Sequence, residues 1–305
     1  MMKNKTVADV FSDFRSQGLA ARHQYELACE RNAHLQRIRE EIKDTGLLKL
    51  SCALRGEPEK QHDQKLLELE KEERQVLQNE IEAAEYKCGV CRDSGMLPTG
   101  YCTCLLRKIY TECYGAADIA ALPGKYDVFD LARFDSANKL PSGKTQAELA
   151  AFSKKRIDGY MDDFPDNKRK TVLIFGKAGL GKTHLLYYMA KKAYALAVDT
   201  LLIRANELFS LFHAHRLGEE VDLSYLYGAK LLLVDDIGTE PITQNVSNEY
   251  FYELIEQRLK LGLHSVFVTN ADNLLQRYDE RISSRLDSRQ DCLRLFFDGR
   301  DLRVN

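Results

Sequence analysis

The rhythm of apolar and polar positions changes near residue 170. Before that point the pattern is helical. Residues 6–45 place Ala21, Tyr25, Ala28, Leu35, Ile38 and Ile42 at helical spacing among charges, and Asp44-Thr45-Gly46 reads as the stop. Residues 59–86 read as a second helix, with Leu66, Leu69, Val76, Leu77, Ile81 and Ala84 in a narrow stripe. Its other face is heavily charged. Such a stripe suits a helical hairpin, a coiled coil or a docking surface. Residues 105–165 are mixed, with Pro123-Gly124 and "LPSGK" at 140–144, and read as a linker into a helix over 145–162.

From residue 171 short apolar runs alternate with helical patterns. The strand candidates are "TVLIF" (171–175), "DTLLI" (199–203), "LLLVD" (231–235), "SVFVT" (265–269) and "CLRLFF" (292–297). Fully apolar strands separated by helices predict an α/β unit, a parallel sheet covered on both faces.

The chain has 305 residues, a length that suits about two domains. Apolar residues make up 44% and charged residues 30%, as in soluble globular proteins. The formal charge of −2 neither demands nor forbids a nucleic-acid partner, because a local basic face can bind one. "KKR" (154–156) and "KRK" (168–170) are such candidates, although runs like these are more often solvated surface. The start, "MMKNKTVADV", has no apolar signal region, and no apolar run reaches the roughly eighteen residues of a membrane span. A cytoplasmic protein with no membrane partner is expected. The rhythm divides the chain into 1–115, helical with a cysteine knuckle; 116–165, linker and lead-in helix; and 166–305, the α/β unit.

"GKAGLGKT" (176–183) matches GxxxxGK[ST] in full, follows a strand and opens a helix. Its glycines let backbone N–H groups turn inward towards phosphate, and the helix N-terminus adds its dipole. Gly176, Lys177, Ala178, Gly179, Leu180, Gly181, Lys182, Thr183 and His184 are the nucleotide-binding candidates. Lys182 can reach the β- and γ-phosphates, and Thr183 can ligate magnesium. In "LLLVDDIGTE" (231–240) Asp235 is the second magnesium candidate and Asp236 is placed to polarise an attacking water. Asn270 at the tip of "SVFVTN" is positioned to orient that water. "ERISSRL" (280–286) sets Arg281 and Arg285 four apart on one helix face. They read as an arginine offered to a neighbour's γ-phosphate or as a salt-bridged surface helix beside Glu280 and Asp287. The cofactors implied are ATP/ADP and Mg²⁺.

Eight cysteines in a reducing compartment point to metal ligands or buried thiols rather than disulfides. Four lie in "CGVCRDSGMLPTGYCTC" (88–104), a CxxC and a CxC. Cys88, Cys91, Cys102 and Cys104 can close a Cys₄ site on one Zn²⁺, with turns at "DSG" and "PTG". Cys113 is near enough in sequence to replace one of them. A closed site of this kind organises a segment too small to fold alone.

"FGKAGLGKTHLL", "LLLVDDIGTE", "VFVTN" and "YDERISSRL" follow one another as in the AAA+ ATPases of the bacterial initiator and helicase-loader clade. The chain resembles DnaC/DnaI-type replicative helicase loaders from about residue 125 onward. "YKCGVCRDSG" with "YCTCLL" is similar to the cysteine module many of these loaders carry before their ATPase. The resemblance implies a P-loop AAA+ three-layer sheet without a helical lid, behind a small zinc-binding helical domain. It implies a hexameric replicative helicase (DnaB/DnaC type) as partner of that head, single-stranded DNA as a second partner, and self-association through the ATP site. Within "RxxSR" it implies Arg285 as the arginine finger, with Arg281 in reserve. Typical AAA+ lids supply a further arginine, and Arg289, Arg294 or another residue would have to replace it here. Two other readings stay open. One is an IstB-type transposition-helper ATPase that remodels duplex DNA. The other is a nucleotide-regulated adaptor with negligible turnover.

Overall fold

The computed structural model describes residues 5–55, 57–82, 85–239, 246–270, 278–288 and 290–304. It divides into two compact units, Met1–Ile109 and Tyr110–Asn305.

In the first unit three helices precede the cysteine segment: α1 (Val7–Arg31), α2 (Ala33–Arg55) and α3 (Lys60–Val76), the last running into a π-helical turn at Leu77–Glu82. The single helix expected over 6–45 is in fact two. Asn32 breaks it, because its backbone leaves the helix (ψ 101°) and its Oδ1 accepts the Leu35 N–H at 2.9 Å, capping α2. The expected stop at 44–46 does not act. The helix continues through Gly46, whose missing Cβ faces open space, to Arg55. Of the expected stripe, Leu69, Val76 and Ile81 pack with Cys29, Leu35 and Ile38, while Ala84 lies outside the described residues. Arg39–Glu73 (2.8 Å) and Lys49–Asp63 (2.7 Å) tie α2 to α3 along the rim. A two-stranded hairpin, β1 (Met96–Leu97) and β2 (Gly100–Tyr101), and helix α4 (Thr103–Glu112) follow.

The second unit is built on five parallel strands: β3 (Thr171–Phe175), β4 (Thr200–Arg204), β5 (Leu231–Ile237), β6 (His264–Thr269) and β7 (Cys292–Phe296). Each coincides with an expected run to within two residues. Their order across the sheet is β4-β5-β6-β3-β7. The runs are apolar throughout because both faces are covered. Val172, Ile174, Leu202, Leu233, Val268 and Leu295 join the core beneath α5 (Gln146–Asp162) and α6 (Lys182–Ala195). On the other face Phe267 meets Phe251 edge-on, from α9 (Val246–Lys260). Helices α7 (Ala205–Arg216), α8 (Ser224–Gly228) and α10 (Glu280–Asp287) complete the unit. Arg258 is 1% exposed, and it is tolerated there because its donors are used: Nη1 to Leu226 O, Nη2 to His264 O and Nε to Ser265 Oγ, at 2.6–2.8 Å.

The order places β3 between β6 and β7, so the loop after β3 opens where sequence-distant connections meet. Ligands of open parallel sheets bind at such strand ends.

Candidate nucleotide site and metal cluster

The loop after β3 forms one wall of a cavity of about 520 Å³. Gly176, Gly179 and Gly181 all have positive φ (136°, 76° and 91°). At Gly176 a Cβ would stand 2.1 Å from Phe297 O, so a side chain is excluded by backbone as well as by conformation. Gly181 caps α6 without a side chain, leaving the first-turn N–H groups directed into the cavity.

Lys182 is 4% exposed. Its Nζ donates to Lys177 O at 2.5 Å and to Asn270 Oδ1 at 2.7 Å. Asn270 in turn donates through Nδ2 to Asp236 Oδ1. The asparagine, 88 residues from the lysine, thus bridges the cation expected to bind phosphate and the acid expected to act on water. Asp236 is held at φ 66° where the β5–β6 register shifts, and Thr239 Oγ1 donates to its carbonyl at 2.9 Å. Aspartate tolerates this left-handed conformation better than most residues. Thr183 Oγ1 donates to Asp235 Oδ1 at 3.1 Å, so both expected magnesium ligands share one hydrogen bond. Burial pushes the Asp235 carboxyl up to about 6, opposed by the Thr183 hydrogen bond and reinforced by Asp236. A hydroxyl and a carboxylate at this spacing are hard oxygen donors that would suit Mg²⁺, with water and phosphate as its other ligands.

The structure therefore gathers Gly179, Leu180, Gly181, Lys182, Thr183, His184, Asp235, Asp236 and Asn270 around one cavity. Gly176, Lys177 and Ala178 belong to the same loop behind it. Arg281 and Arg285 are not among the described residues lining it. Arg285 Nε meets Glu256 Oε1 at 2.5 Å, and Arg281 pairs with Asp279 at 2.9 Å over the Tyr252 ring. Both stay substantially exposed, with side chains 42% and 60% accessible. Arg294 lies over the Phe175 ring, and Arg289 lies outside the described residues. Of the basic runs, Lys154 pairs with Asp158 at 2.6 Å and Lys170 donates to Pro165 O at 2.8 Å.

Sequence reasoning missed three cavity arginines: Arg133, Arg204 and Arg303. Arg204 ends β4 opposite Asp235 in register, a pairing that only the sheet reveals. The other two come from segments with no motif.

In the first unit the thiol sulfurs of Cys88, Cys91, Cys102 and Cys104 all lie within 4.8 Å of one another. Bonds of about 2.3 Å to one tetrahedral zinc put sulfurs about 3.8 Å apart, so this donor set fits the ion. Arg92 and Asp93 turn the CxxC with positive φ (49° and 57°), and the Asp93 carboxylate accepts the Cys88 N–H at 2.7 Å and the Lys87 N–H at 3.0 Å. Gly95 N–H donates to Cys91 Sγ at 3.3 Å, the outer bond that orients a thiolate ligand. Cys113 is outside the cluster.

No described helix is long and apolar enough to cross a membrane. Residues 137–282 match the family described as IstB-like ATP binding protein. No curated protein matches the chain. Among solved structures, that of a putative primosome component from Streptococcus pyogenes serotype M3 is similar at 19% identity, over 59% of this chain and 92% of that one, with a TM-score of 0.42. A structure titled DnaI is similar at 20% identity, over 60% and 95%, with a TM-score of 0.42. One titled DnaC helicase loader is similar at 19%, over 58% and 100%, with a TM-score of 0.45.

Proposed function

We propose, taking as premise the IstB-like ATP-binding domain of residues 137–282, that the chain is an ATP-dependent loader of a hexameric replicative DNA helicase. One observation carries the reading: a cavity lined by the phosphate loop, two aspartates and an asparagine shares its chain with a unit that holds a cysteine cluster and an uncovered apolar helix face. That unit holds four convergent cysteines and the helical pair α2–α3. On α2, Leu47, Leu50 and Leu54 recur on one face and are 58%, 58% and 81% exposed. A row of uncovered leucines on a helix suits a partner's apolar groove.

Hydrolysis in this reading uses Lys182 on the phosphates, Thr183 and Asp235 on magnesium, and Asp236 on water positioned by Asn270. Bound magnesium neutralises charge developing on the phosphates. Arg285, exposed and away from its own cavity, serves the site of a neighbouring copy. Single-stranded DNA is the nucleic-acid partner.

A second reading rests on the family match itself, whose description is IstB-like. There the ATPase assembles on duplex DNA and remodels it. ATP turnover with each DNA form separates the two. The loader reading predicts stimulation by single-stranded DNA and little by duplex, and Arg285→Ala should keep ATP affinity while losing most turnover. Stimulation by duplex alone would favour the remodelling account, and turnover undiminished in Arg285→Ala would remove the finger.

A further inference from the structure

The segment after β7 is strapped to the phosphate loop. Phe297 N–H donates to Phe175 O and Leu302 N–H to Gly179 O, each at 2.9 Å. Asp301 occupies the space beside Gly179 where a Cβ would sit, 1.9 Å from its carboxylate. Gln146, 2% exposed, clamps the strap from behind: its Nε2 donates to Arg300 O at 2.9 Å and its Oε1 accepts the Asp135 N–H at 3.4 Å. Two cavity arginines, Arg133 and Arg303, project from the two segments that Gln146 joins.

Arg303 is fixed at its root and loose at its tip. Its N–H donates to Asp301 Oδ1 at 2.8 Å, while its guanidinium is 3.8 Å from the same carboxylate and its side chain is 72% exposed. A guanidinium in that condition keeps most of its donors for a ligand. The sheet order says which part of the ligand. β7 flanks β3 on one side, whereas Asn270 just after β6 and the two aspartates on β5 approach from the other. In the ATP-site reading the γ-phosphate faces the acids and Asn270. Arg303 comes from the opposite side.

We infer that Arg303 is a nucleotide contact supplied in cis, binding the α- and β-phosphates that ADP and ATP share. It anchors the nucleotide and takes no part at the γ-phosphate. Arg303 and not Arg294 then supplies the further arginine, since Arg294 is engaged with Phe175. The inference rests on the ATP-site reading and goes beyond it by assigning a residue outside every motif.

The test compares full-length wild type with Arg303→Ala, Arg303→Lys and Arg303→Gln, titrated with ADP, ATP and adenosine. Steady-state ATP turnover and thermal melts are run alongside. Arg303→Ala should weaken ADP and ATP by a similar factor, about tenfold or more for loss of a charge-assisted contact. Adenosine binding should not change, and the ATP concentration needed for half-maximal turnover should rise by the same factor as the loss of ADP affinity. Arg303→Lys should recover part of the affinity by charge alone. Arg303→Gln retains the stem and should melt like wild type while binding as weakly as Arg303→Ala. Unchanged ADP affinity in the alanine and glutamine variants would overturn the inference, as would lost turnover with ADP affinity intact. Wild type that binds neither nucleotide would instead overturn the ATP-site reading beneath it.

Discussion

Asp235 shows two demands meeting at one residue. In the proposed function it must be ionised to hold magnesium, yet it is 6% exposed and beside Asp236. Its proton is therefore held up to about 6 in the folded protein, against an ordinary 3.8. Between those values the native state binds more protons than the unfolded chain, so stability falls as pH rises from about 4 to about 6, and the full cost remains above that. Asp235→Asn should raise the melting temperature of magnesium-free protein near neutral pH, by a gain on the order of 1–3 kcal/mol that fades towards about pH 4. Melts in chelator across that range check it, and a pH-independent gain would contradict the assigned cause. The identity of such residues was legible in the sequence wherever a motif fixes spacing. Lys182, Thr183, Asp235 and Asp236 stood out at once. The Lys182–Asn270–Asp236 bridge did not, because it joins residues 88 and 34 apart. Arg303 carried no signal at all, since only the neighbourhood of β7 and β3 brings it to the phosphate loop.

At the scale of elements the five strands were legible because each is an apolar run that needs no partner to be recognised. Helix ends in the first unit were less so. A glycine after Asp44-Thr45 reads as a stop, but tertiary packing of α2 on α3 outweighs the roughly 1 kcal/mol that glycine costs inside a helix. The real break at Asn32 depends on one side-chain cap, a short-range choice that periodicity does not register. The cysteine knuckle was legible in ligand type and spacing. Its Asp93 brace was not, as it requires left-handed backbone at Arg92 and Asp93. Metal analysis should find about one zinc per chain, and Cys102→Ser should reduce it to background with loss of amide protection across residues 88–105. Full protection in metal-free protein would show that the segment folds without the ion.

At the scale of the whole molecule the account joins an ATP site to a docking unit. Motif order pointed to this pairing before any geometry. The structure adds a cavity whose residues come from the loop after β3 and the start of α6, the ends of β4 and β5, Asn270 just after β6, residues 129–134 and the segment after β7, and a helix that offers Leu47, Leu50 and Leu54 uncovered. Those leucines were counted in no apolar stripe, because the expected stop at Asp44-Thr45-Gly46 left residues 47–55 outside any expected helix.

The most direct measurement is native mass spectrometry of the full-length chain mixed with the replicative helicase of its host, with ATP and with ADP. It is repeated with Leu50→Ser/Leu54→Ser, two exposed positions outside the packed core of the first unit. The account predicts a stable complex of loader chains with the helicase hexamer, and at least a tenfold weaker one for the double variant, whose ATP binding stays intact. No complex in either nucleotide state would contradict the loader claim, and equal binding by the double variant would remove α2 as the docking face.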